Sequence, residues 1–302
     1  MRRGLLCLLG LGLACVLALL AFTVPAHWQI RQITPDLPDW AQLDAALNTP
    51  DGPVSLAMIS TAVQTSTFGE IGHPGILLTW PDGRHFLIDT GMPPEAAQAF
   101  GEPMELLGAA PITTYGAVAT QLGVAVDGVQ GIAFTHLHND HTDGLPGICD
   151  AQLKPATVYQ TRLQREKLNY TTKIGLKALD VAKCPRQVLT ADTVKPVPGF
   201  PGLLAISLGG HTPGSTLFAV RIDDRSWIFS GDITNNRQSI LENLPKPWWY
   251  STLVVPEGTE RTAVLRDWLR RLDERPRVTV LPAHDTAAMA AAGLPVWPSA
   301  VK

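Results

Sequence analysis

Charged residues and basic clusters are scarce in this sequence of 302 residues. Charged side chains make up 17% of it, and arginine pairs such as Arg270-Arg271 are its longest basic pieces. Proteins that bind nucleic acid normally present a strongly basic surface. Once residues 1–26 are set aside, 22 basic and 27 acidic residues remain, so the rest of the chain is net negative. We therefore expect no nucleic-acid partner.

Cysteine is also rare, with four residues in the whole chain. Cys7 and Cys15 lie in an apolar N-terminal segment, which leaves Cys149 and Cys184 for the remainder. Neither of these has the CxxC spacing or a neighbouring histidine of a cysteine-based metal or redox site. In an oxidising compartment the two could form one disulfide, and two unpaired buried thiols are equally compatible with the sequence.

The N-terminal segment from Gly4 to Val24 contains no charged residue and follows Arg2 and Arg3. As a helix it would be about 31 Å long, enough to cross the hydrocarbon core of a bilayer. Its length exceeds the apolar region of a typical signal peptide and favours a retained anchor. Val24-Pro25-Ala26 nevertheless offers a cleavage site, so a cleaved signal peptide remains an alternative to the anchor. In both cases the paired arginines remain in the cytoplasm and everything after Trp28 is exported.

The domain organisation follows from this segment and from composition. Residues 27–53 are rich in Pro, Asp and Gln and are expected to be a linker. The protein would then be anchored on the periplasmic side of the inner membrane, or free in the periplasm after cleavage. We expect three regions: a signal anchor or signal peptide at 1–26, the linker at 27–53 and a catalytic domain at 54–302.

Within the domain, short apolar strands separated by turns come in two blocks, with helices between and after them. Strands are predicted at 54–63, 75–80, 85–88, 131–135 and 278–281, and helices at 93–107, 114–122 and 260–274. The last helix is amphipathic, with an apolar stripe made of Val264, Leu265, Trp268, Leu269 and Leu272. This order predicts an α/β (α+β) fold of two packed sheets covered by helices.

The stretch Thr135-His136-Leu137-His138-Asn139-Asp140-His141 places four possible metal ligands at the end of a predicted strand. Because side chains alternate along an extended backbone, His136 and His138 point to the same side. Asp140 and His141 follow the strand and can turn towards a second metal. Imidazole and carboxylate together suit zinc better than the hard cations that prefer oxygen ligands alone.

Three further pieces each follow an apolar strand: Gly210-His211-Thr212-Pro213-Gly214-Ser215, Ser230-Gly231-Asp232 and Pro282-Ala283-His284-Asp285. Taken singly, each would be an ordinary turn or helix cap. Their shared position at strand ends makes His211, Asp232 and His284 candidate ligands.

The order HxHxDH, GHTPGS, SGD and PAHD resembles the metallo-β-lactamase superfamily, from about Val54 to the C-terminus. The resemblance implies an αββα sandwich with a two-zinc site at one edge of the sheets. It implies that one zinc binds His136, His138 and His211. It implies that a second zinc binds Asp140, His141 and His284, and that Asp232 bridges the two ions. Asp89 matches an aspartate that usually lies behind the ligands, although an ordinary turn aspartate is also compatible with it.

A hydroxide shared by two metals would attack the substrate, with Asp140 orienting it and moving its proton. The resemblance is greatest to the N-acyl homoserine lactonase branch, so the expected substrate is a small lactone or other carboxylic ester. That branch has a tyrosine where this chain has Asn235, which could donate a hydrogen bond instead. His73 lies in a predicted turn near the site, where an exposed loop histidine is the more ordinary interpretation.

Other activities remain open at this point. Thioester hydrolysis of the glyoxalase II type and phosphodiester hydrolysis are the alternatives, and β-lactam hydrolysis is a minor one because Asp232 stands where those enzymes have Cys or Ser. A non-enzymatic periplasmic metal-binding domain is the alternative outside catalysis, and other divalent transition metals could replace zinc. The sequence does not determine the oligomeric state.

Overall fold

Two β-sheets packed face to face form the centre of the protein. The computed structural model describes residues 2–66, 69–189 and 194–298, so the end of the predicted domain, 299–302, lies outside the described residues. Within them, the first sheet contains β1 Ser55–Ser66, β2 Gly69–Thr79, β3 His85–Ile88, β4 Thr113–Thr114, β5 Val129–Ala133, β6 Thr157–Thr161 and β7 Arg186–Leu189. They are ordered β4-β1-β2-β3-β5-β6-β7.

The second sheet is ordered β12-β11-β10-β9-β8 in the same part of the chain. Its strands are β8 Lys195–Pro196, β9 Leu204–Ser207, β10 Thr216–Ile222, β11 Arg225–Phe229 and β12 Val278–Leu281. β3, β5, β6 and β7 pair in parallel, and so do β11 and β12, whereas the other pairs are antiparallel.

Helices pack on the outer faces of both sheets, while α1 Arg2–Arg31, among the described residues, contacts the rest of the protein only through its last turns. The other helices are α2 Trp40–Leu47, α3 Pro94–Leu106, α4 Val118–Leu122, α5 Asn139–Thr142, α6 Leu145–Ala151, α7 Arg162–Glu166, α8 Thr172–Val181, α9 Arg237–Leu241, α10 Thr259–Asp273 and α11 Thr286–Ala291. Short 3-10 turns occur at Gly123–Gly128 and Gly231–Ile233, and a π-helical turn at Tyr250–Val254.

Alternating side chains along the strands build the layers. In β3, Phe86 and Ile88 enter the cluster between the two sheets, while Leu87 joins the cluster under α4 and α6. Neighbouring residues of a strand point to opposite faces, so one apolar strand serves two cores. A third cluster lies between the second sheet and α2, α9 and α10. The two sheets and their helical layers agree with the mixed α/β prediction.

Residues 27–53, expected as a linker, instead carry α2 and pack on the second sheet. Leu43 and Leu47 lie one turn apart on α2 and are 0% and 2% exposed in the cluster with α10. Asp39 begins the helix with a capping box to Gln42. The apolar residues of this region are spaced for one helical face, which the Pro-rich composition around them conceals.

The other predicted elements differ from the structure mainly at their ends. The helix predicted at 114–122 contains only α4, because Thr113–Thr114 pairs with β1. In α10 the stripe from Leu265 to Leu272 is buried, but Val264 is 52% exposed. The structure also joins Cys149 to Cys184 by a disulfide across 35 residues, which decides between the two alternatives.

Candidate metal centre

The loop after β5 brings four predicted ligands into the protein interior. The α5 turn begins directly after His138, and Thr142 donates its hydroxyl to the His138 carbonyl at 3.1 Å. This turn folds Asp140 and His141 back beside His136. Side chains of all four ligands are nearly inaccessible, with residue exposures between 1% and 8%. A histidine-rich surface loop is therefore excluded.

Glycines allow the two other loops to approach this one. Gly210 and Gly231 have positive φ angles of 87° and 60°, which side chains other than glycine rarely adopt. A Cβ atom at Gly231 would also lie 2.8 Å from Cβ of Thr135. The residues that follow, His211 and Asp232, consequently reach the loop after β5.

The first group of ligand atoms consists of three histidines and an aspartate. Nε2 of His136 lies 2.9 Å from Nδ1 of His138, which lies 3.3 Å from Nε2 of His211. Oδ2 of Asp232 lies 3.8 Å from His136 Nε2 and 3.7 Å from His211 Nε2. Four donor atoms thus converge within 4.8 Å of one another.

The second group lies on the other side of Asp232. Nε2 of His284 is 2.8 Å from Asp232 Oδ2, and Nε2 of His141 is 3.4 Å from Asp232 Oδ1. Oδ2 of Asp140 is 3.6 Å from His141 and 3.5 Å from His284. Asp232 therefore has donor atoms in both groups, and the structure brings together all seven side chains that the sequence singled out.

The donor set fits metal ions better than hydrogen bonding alone. In the described part of the chain, His141 Nε2 and Asp232 Oδ1 are buried and make no hydrogen bond, although they face each other. Buried polar atoms without partners are costly unless an ion or water satisfies them. Imidazole nitrogens and carboxylate oxygens converging in this way match zinc ligation.

Three of the histidines are held in the neutral form that binds metals. Burial first, and the neighbouring His211 second, lower the pKa of His138 to about 3. Burial first, and then the nearby His141, lower the pKa of His136. Burial first, and then the nearby Lys246, lower the pKa of His211. Since the neutral ring offers a free lone pair, these histidines are ready for ligation.

The carboxylates behave in the opposite way. Burial alone would raise the pKa of Asp232, but the nearby His284, His141 and His136 outweigh it and hold the pKa well below its usual range. Asp140 is also held ionised, chiefly by His141 against the effect of burial. The site thus contains two buried carboxylates that are charged at neutral pH and need positive charge beside them.

Asp89, at the end of β3, holds the outer side of His141. Its Oδ1 accepts the Thr135 amide at 2.8 Å, and its Oδ2 accepts the Thr135 hydroxyl at 2.8 Å and lies 3.0 Å from His141 Nδ1. Asp89 has φ of 59°, an uncommon backbone conformation for a non-glycine residue, in keeping with a position constrained by function. Such a contact fixes the ring and tautomer of a ligating histidine.

The sequence profile of the metallo-beta-lactamase superfamily matches residues 73–284, which include every predicted ligand. The chain belongs to the metallo-beta-lactamase superfamily. Curated protein sequences gave no significant match. Solved structures are similar in fold, and three of them illustrate the range.

An N-acyl homoserine lactone hydrolase with its product bound at the catalytic metal centre is 16% identical, with a TM-score of 0.59 over 82% of this chain and 98% of that one. A Bacillus thuringiensis AiiA variant with N-decanoyl-L-homoserine bound is 15% identical, with the same TM-score and coverage. A probable metal-dependent hydrolase from Staphylococcus aureus is 13% identical, with a TM-score of 0.54 over 78% and 91% of the chains. At these identities the likeness shows the fold alone.

Beyond the superfamily motifs, the structure reveals a buried ion pair behind His211. Glu257 Oε1 lies 2.6 Å from His211 Nδ1 and 3.0 Å from Lys246 Nζ. Lys246 also donates to the main-chain carbonyl of Asp232 at 2.7 Å, and Ser251 donates to Glu257 at 2.7 Å. Sequence reasoning missed these residues because nothing local marks Lys246 between two prolines, or Glu257 between proline and glycine, as functional.

Tyr250 enters the same region from the π-helical turn. Burial first, and then Asp232, Glu257 and Asp140, raise the pKa of its phenol well above the ordinary value. Its ring lies 5.3 Å from Lys246 Nζ. The phenol therefore stays protonated at neutral pH and can donate a hydrogen bond.

His73 and Asn235 occupy different surroundings from those expected. His73 lies in β2 rather than in an exposed turn; it is 2% exposed, and its Nδ1 is 3.3 Å from Asp140 Oδ2. Asn235 is half-buried in the bend after the Asp232 turn. Among the described residues, no hydrogen bond joins Asn235 to the ligand cluster.

Proposed function

We propose that this protein is a dinuclear zinc hydrolase that opens a lactone or another carboxylic ester. The observation that carries the proposal is the shared position of Asp232, whose carboxylate contributes donor atoms to both ligand groups. A single carboxylate between two sets of ligands is suited to holding two metal ions at the separation of about 3.5–4 Å used in two-metal hydrolysis. When bound, such ions lower the pKa of water towards neutrality and polarise a substrate carbonyl.

Asp140 is the residue that moves the proton. Its Oδ2 atom faces His73, His141 and His284, and the carboxylate stays ionised at neutral pH. An ionised carboxylate beside the attacking water can accept its proton and later pass it to the leaving oxygen. His73 Nδ1 lies 3.3 Å from Asp140 Oδ2 on the β2 side, which places this ring to orient the carboxylate.

Tyr250 takes the part that Asn235 was expected to play. A phenol that stays protonated can donate a hydrogen bond to the carbonyl oxygen as negative charge develops on it. The raised pKa of Tyr250 keeps this donor present across the neutral and alkaline range. The supporting observation is the position of the Tyr250 ring, 5.3 Å from Lys246 Nζ, which itself donates to the Asp232 carbonyl.

The protein is further proposed to be exported and anchored by α1. The span Gly10–Arg31 has a mean hydropathy of 1.9 and is mostly exposed, as a membrane helix would be. The Cys149–Cys184 disulfide supports export, because disulfides persist in oxidising compartments. A cleaved signal peptide would leave the same catalytic domain without its anchor.

The test is zinc content and turnover measured on the full chain in mild detergent. We expect two zinc ions per chain, and hydrolysis of lactones or aryl esters that chelation abolishes and zinc restores. Asp232→Ala removes the ligand that the two ions would share, so zinc content and activity should both fall. The matched control Asp150→Asn changes only an exposed ion pair with Lys183 and should leave both unchanged. Activity that persists in Asp232→Ala, or turnover restricted to thioesters, phosphodiesters or β-lactams, would contradict the proposal.

A further inference from the structure

Residues 246–258, called here the mouth segment, contact the ligand cluster on one side and α1 on the other. On the inner side, Lys246 binds the Asp232 carbonyl and Glu257 contacts His211. On the outer side, His27 Nε2 of α1 lies 3.0 Å from the Thr252 carbonyl oxygen. The active site and the end of the apolar helix are therefore neighbours through one short piece of chain.

The last two turns of α1 pack against the domain along a single stripe. Thr23, Ala26 and Ile30 are buried, with exposures of 6%, 6% and 0%, and their spacing of three and four residues places them on one face. A Cβ atom at Gly258 would lie 3.7 Å from Cγ1 of Ile30, so this stripe reaches the mouth segment. The helix leaves the domain on this side.

The height of the mouth segment relative to a bilayer follows from helix geometry. The apolar run of α1 ends at Val24, and His27 is three residues further, or about 4.5 Å along the axis. With this run in the hydrocarbon core, Thr252, which contacts His27, would lie at the level where hydrocarbon gives way to headgroups. Trp28 is 69% exposed at the same level, the position that tryptophan favours in membrane proteins.

The outward side chains of the mouth segment are apolar. Trp248 is 73% exposed, Trp249 39%, Leu253 43% and Val254 46%. Exposed tryptophan and aliphatic groups of this kind are costly in water and are stabilised at a membrane interface. Tyr170 donates to the Val254 carbonyl at 3.3 Å, and the next residue, Thr171, contacts the ring of His138. The apolar edge is thereby connected to the metal ligands through the residues before α8.

We propose that the mouth segment lies in the headgroup region of the membrane, so that the substrate reaches the metal centre from the bilayer. The substrate class is then an ester or lactone with an acyl chain long enough to partition into lipid. This inference rests on the proposed hydrolase and on the α1 anchor. It adds a lipid-contacting surface formed by Trp248, Trp249, Leu253 and Val254 and a route of entry beside it.

The first experiment tests the surface without using activity. The full chain is reconstituted in phosphatidylcholine vesicles whose acyl chains carry bromine, which quenches tryptophan fluorescence on contact. We expect Trp248→Phe/Trp249→Phe to remove a substantial part of the quenched emission. If the quenched emission is the same in wild type and variant, the membrane contact is wrong. That result is also the one expected if a second copy of the chain covers the two tryptophans.

The second experiment compares two esters with the same leaving group, one with a butanoyl and one with a dodecanoyl chain, on enzyme in vesicles. Trp248→Ser/Leu253→Ser should lower the ratio of dodecanoyl to butanoyl kcat/KM about tenfold, since apolar area at the membrane is lost. Val124→Ser/Leu153→Ser is the matched control, because these side chains are 95% and 92% exposed on the helical layer of the first sheet.

The two possible failures are distinguishable. Equal ratios in wild type, mouth variant and control would overturn the membrane entry while leaving the ester hydrolase intact. Absence of metal-dependent turnover of either ester would overturn the proposed function, and the fluorescence experiment would still decide whether the mouth segment contacts lipid.

Discussion

Oδ2 of Asp89 lies 3.0 Å from Nδ1 of His141, while the opposite ring nitrogen of His141 faces Asp232. The ring is therefore held from behind by one carboxylate and presents Nε2 to the ligand cluster. His211 has the corresponding arrangement with Glu257, 2.6 Å from its Nδ1. Each ligand group thus has one histidine fixed by a buried carboxylate, and one of these carboxylates is paired with a lysine.

Asp89→Asn is expected to weaken the second zinc selectively. The amide can still contact Thr135, but it no longer stabilises the His141 tautomer that directs Nε2 at the metal. Loss of such a contact typically costs 10–100-fold in metal affinity. Zinc titration with a competing chelator measures the two affinities separately. Equal weakening of both ions, or of neither, would contradict the assignment of His141 to the second group.

The buried pair of Lys246 and Glu257 is expected to contribute to the free energy of unfolding of the metal-free protein. Their side chains are 7% and 4% exposed, so Lys246→Met leaves a buried carboxylate with reduced compensation. Removing one member of a buried ion pair costs about 3–5 kcal/mol. The double variant Lys246→Met/Glu257→Gln should recover most of that loss. Urea unfolding of the four proteins gives the coupling, and simple additivity would argue against a direct pair.

Tyr250→Phe is expected to reduce kcat for lactones by about 100-fold, the lower range for loss of one donor to a developing oxyanion. Zinc content and KM should change little, because the phenol is not proposed as a metal ligand. Tyr115→Phe is the control, since Tyr115 is 54% exposed. An unchanged kcat in Tyr250→Phe, with a loss instead in Asn235→Ala, would return the role to Asn235.

The disulfide between Cys149 and Cys184 is expected to stabilise the domain. For a loop of 35 residues, restriction of the unfolded chain contributes about 3–4 kcal/mol. Cys149→Ala/Cys184→Ala should lower the free energy of unfolding by that order, with zinc content per folded chain unchanged. Thermal unfolding with and without reductant provides the comparison. A reductant-insensitive wild type would indicate that the two thiols are not joined.

His85 gives a prediction for pH that is remote from the metal ligands. Burial lowers its pKa below 6.5, so the folded state favours the neutral ring, which contacts the Thr79 hydroxyl at 2.9 Å. Its contribution to stability is complete above pH 6.5 and is lost as the pH falls below that value. Between pH 7.5 and 5, the free energy of unfolding of wild type should fall more than that of His85→Asn. The difference should be under about 1 kcal/mol, because the ring is only half-buried. Identical pH profiles would show that His85 titrates normally.

Much of the fold and of the donor set was accessible from the sequence. The strands at 85–88 and 278–281 have the predicted bounds, and a residue of the site, Asp89 or His284, follows each within three residues. An apolar strand followed closely by His or Asp is a local signal, because it can be read from a short run of sequence. The packing of residues 27–53 was not accessible in this way, since Leu43 and Leu47 are buried only by the second sheet and α10, which are distant in the sequence.

The sequence by itself determined which residue types line the site and in what order, because each motif is a short run at a strand end. Only the tertiary structure decided which atoms meet. Glu257 reaches His211 across 46 residues, Asp89 reaches His141 across 52, and His27 reaches Thr252 across 225. Contacts over such separations depend on how two sheets and a long helix pack, and neither residue spacing nor local propensity records that packing.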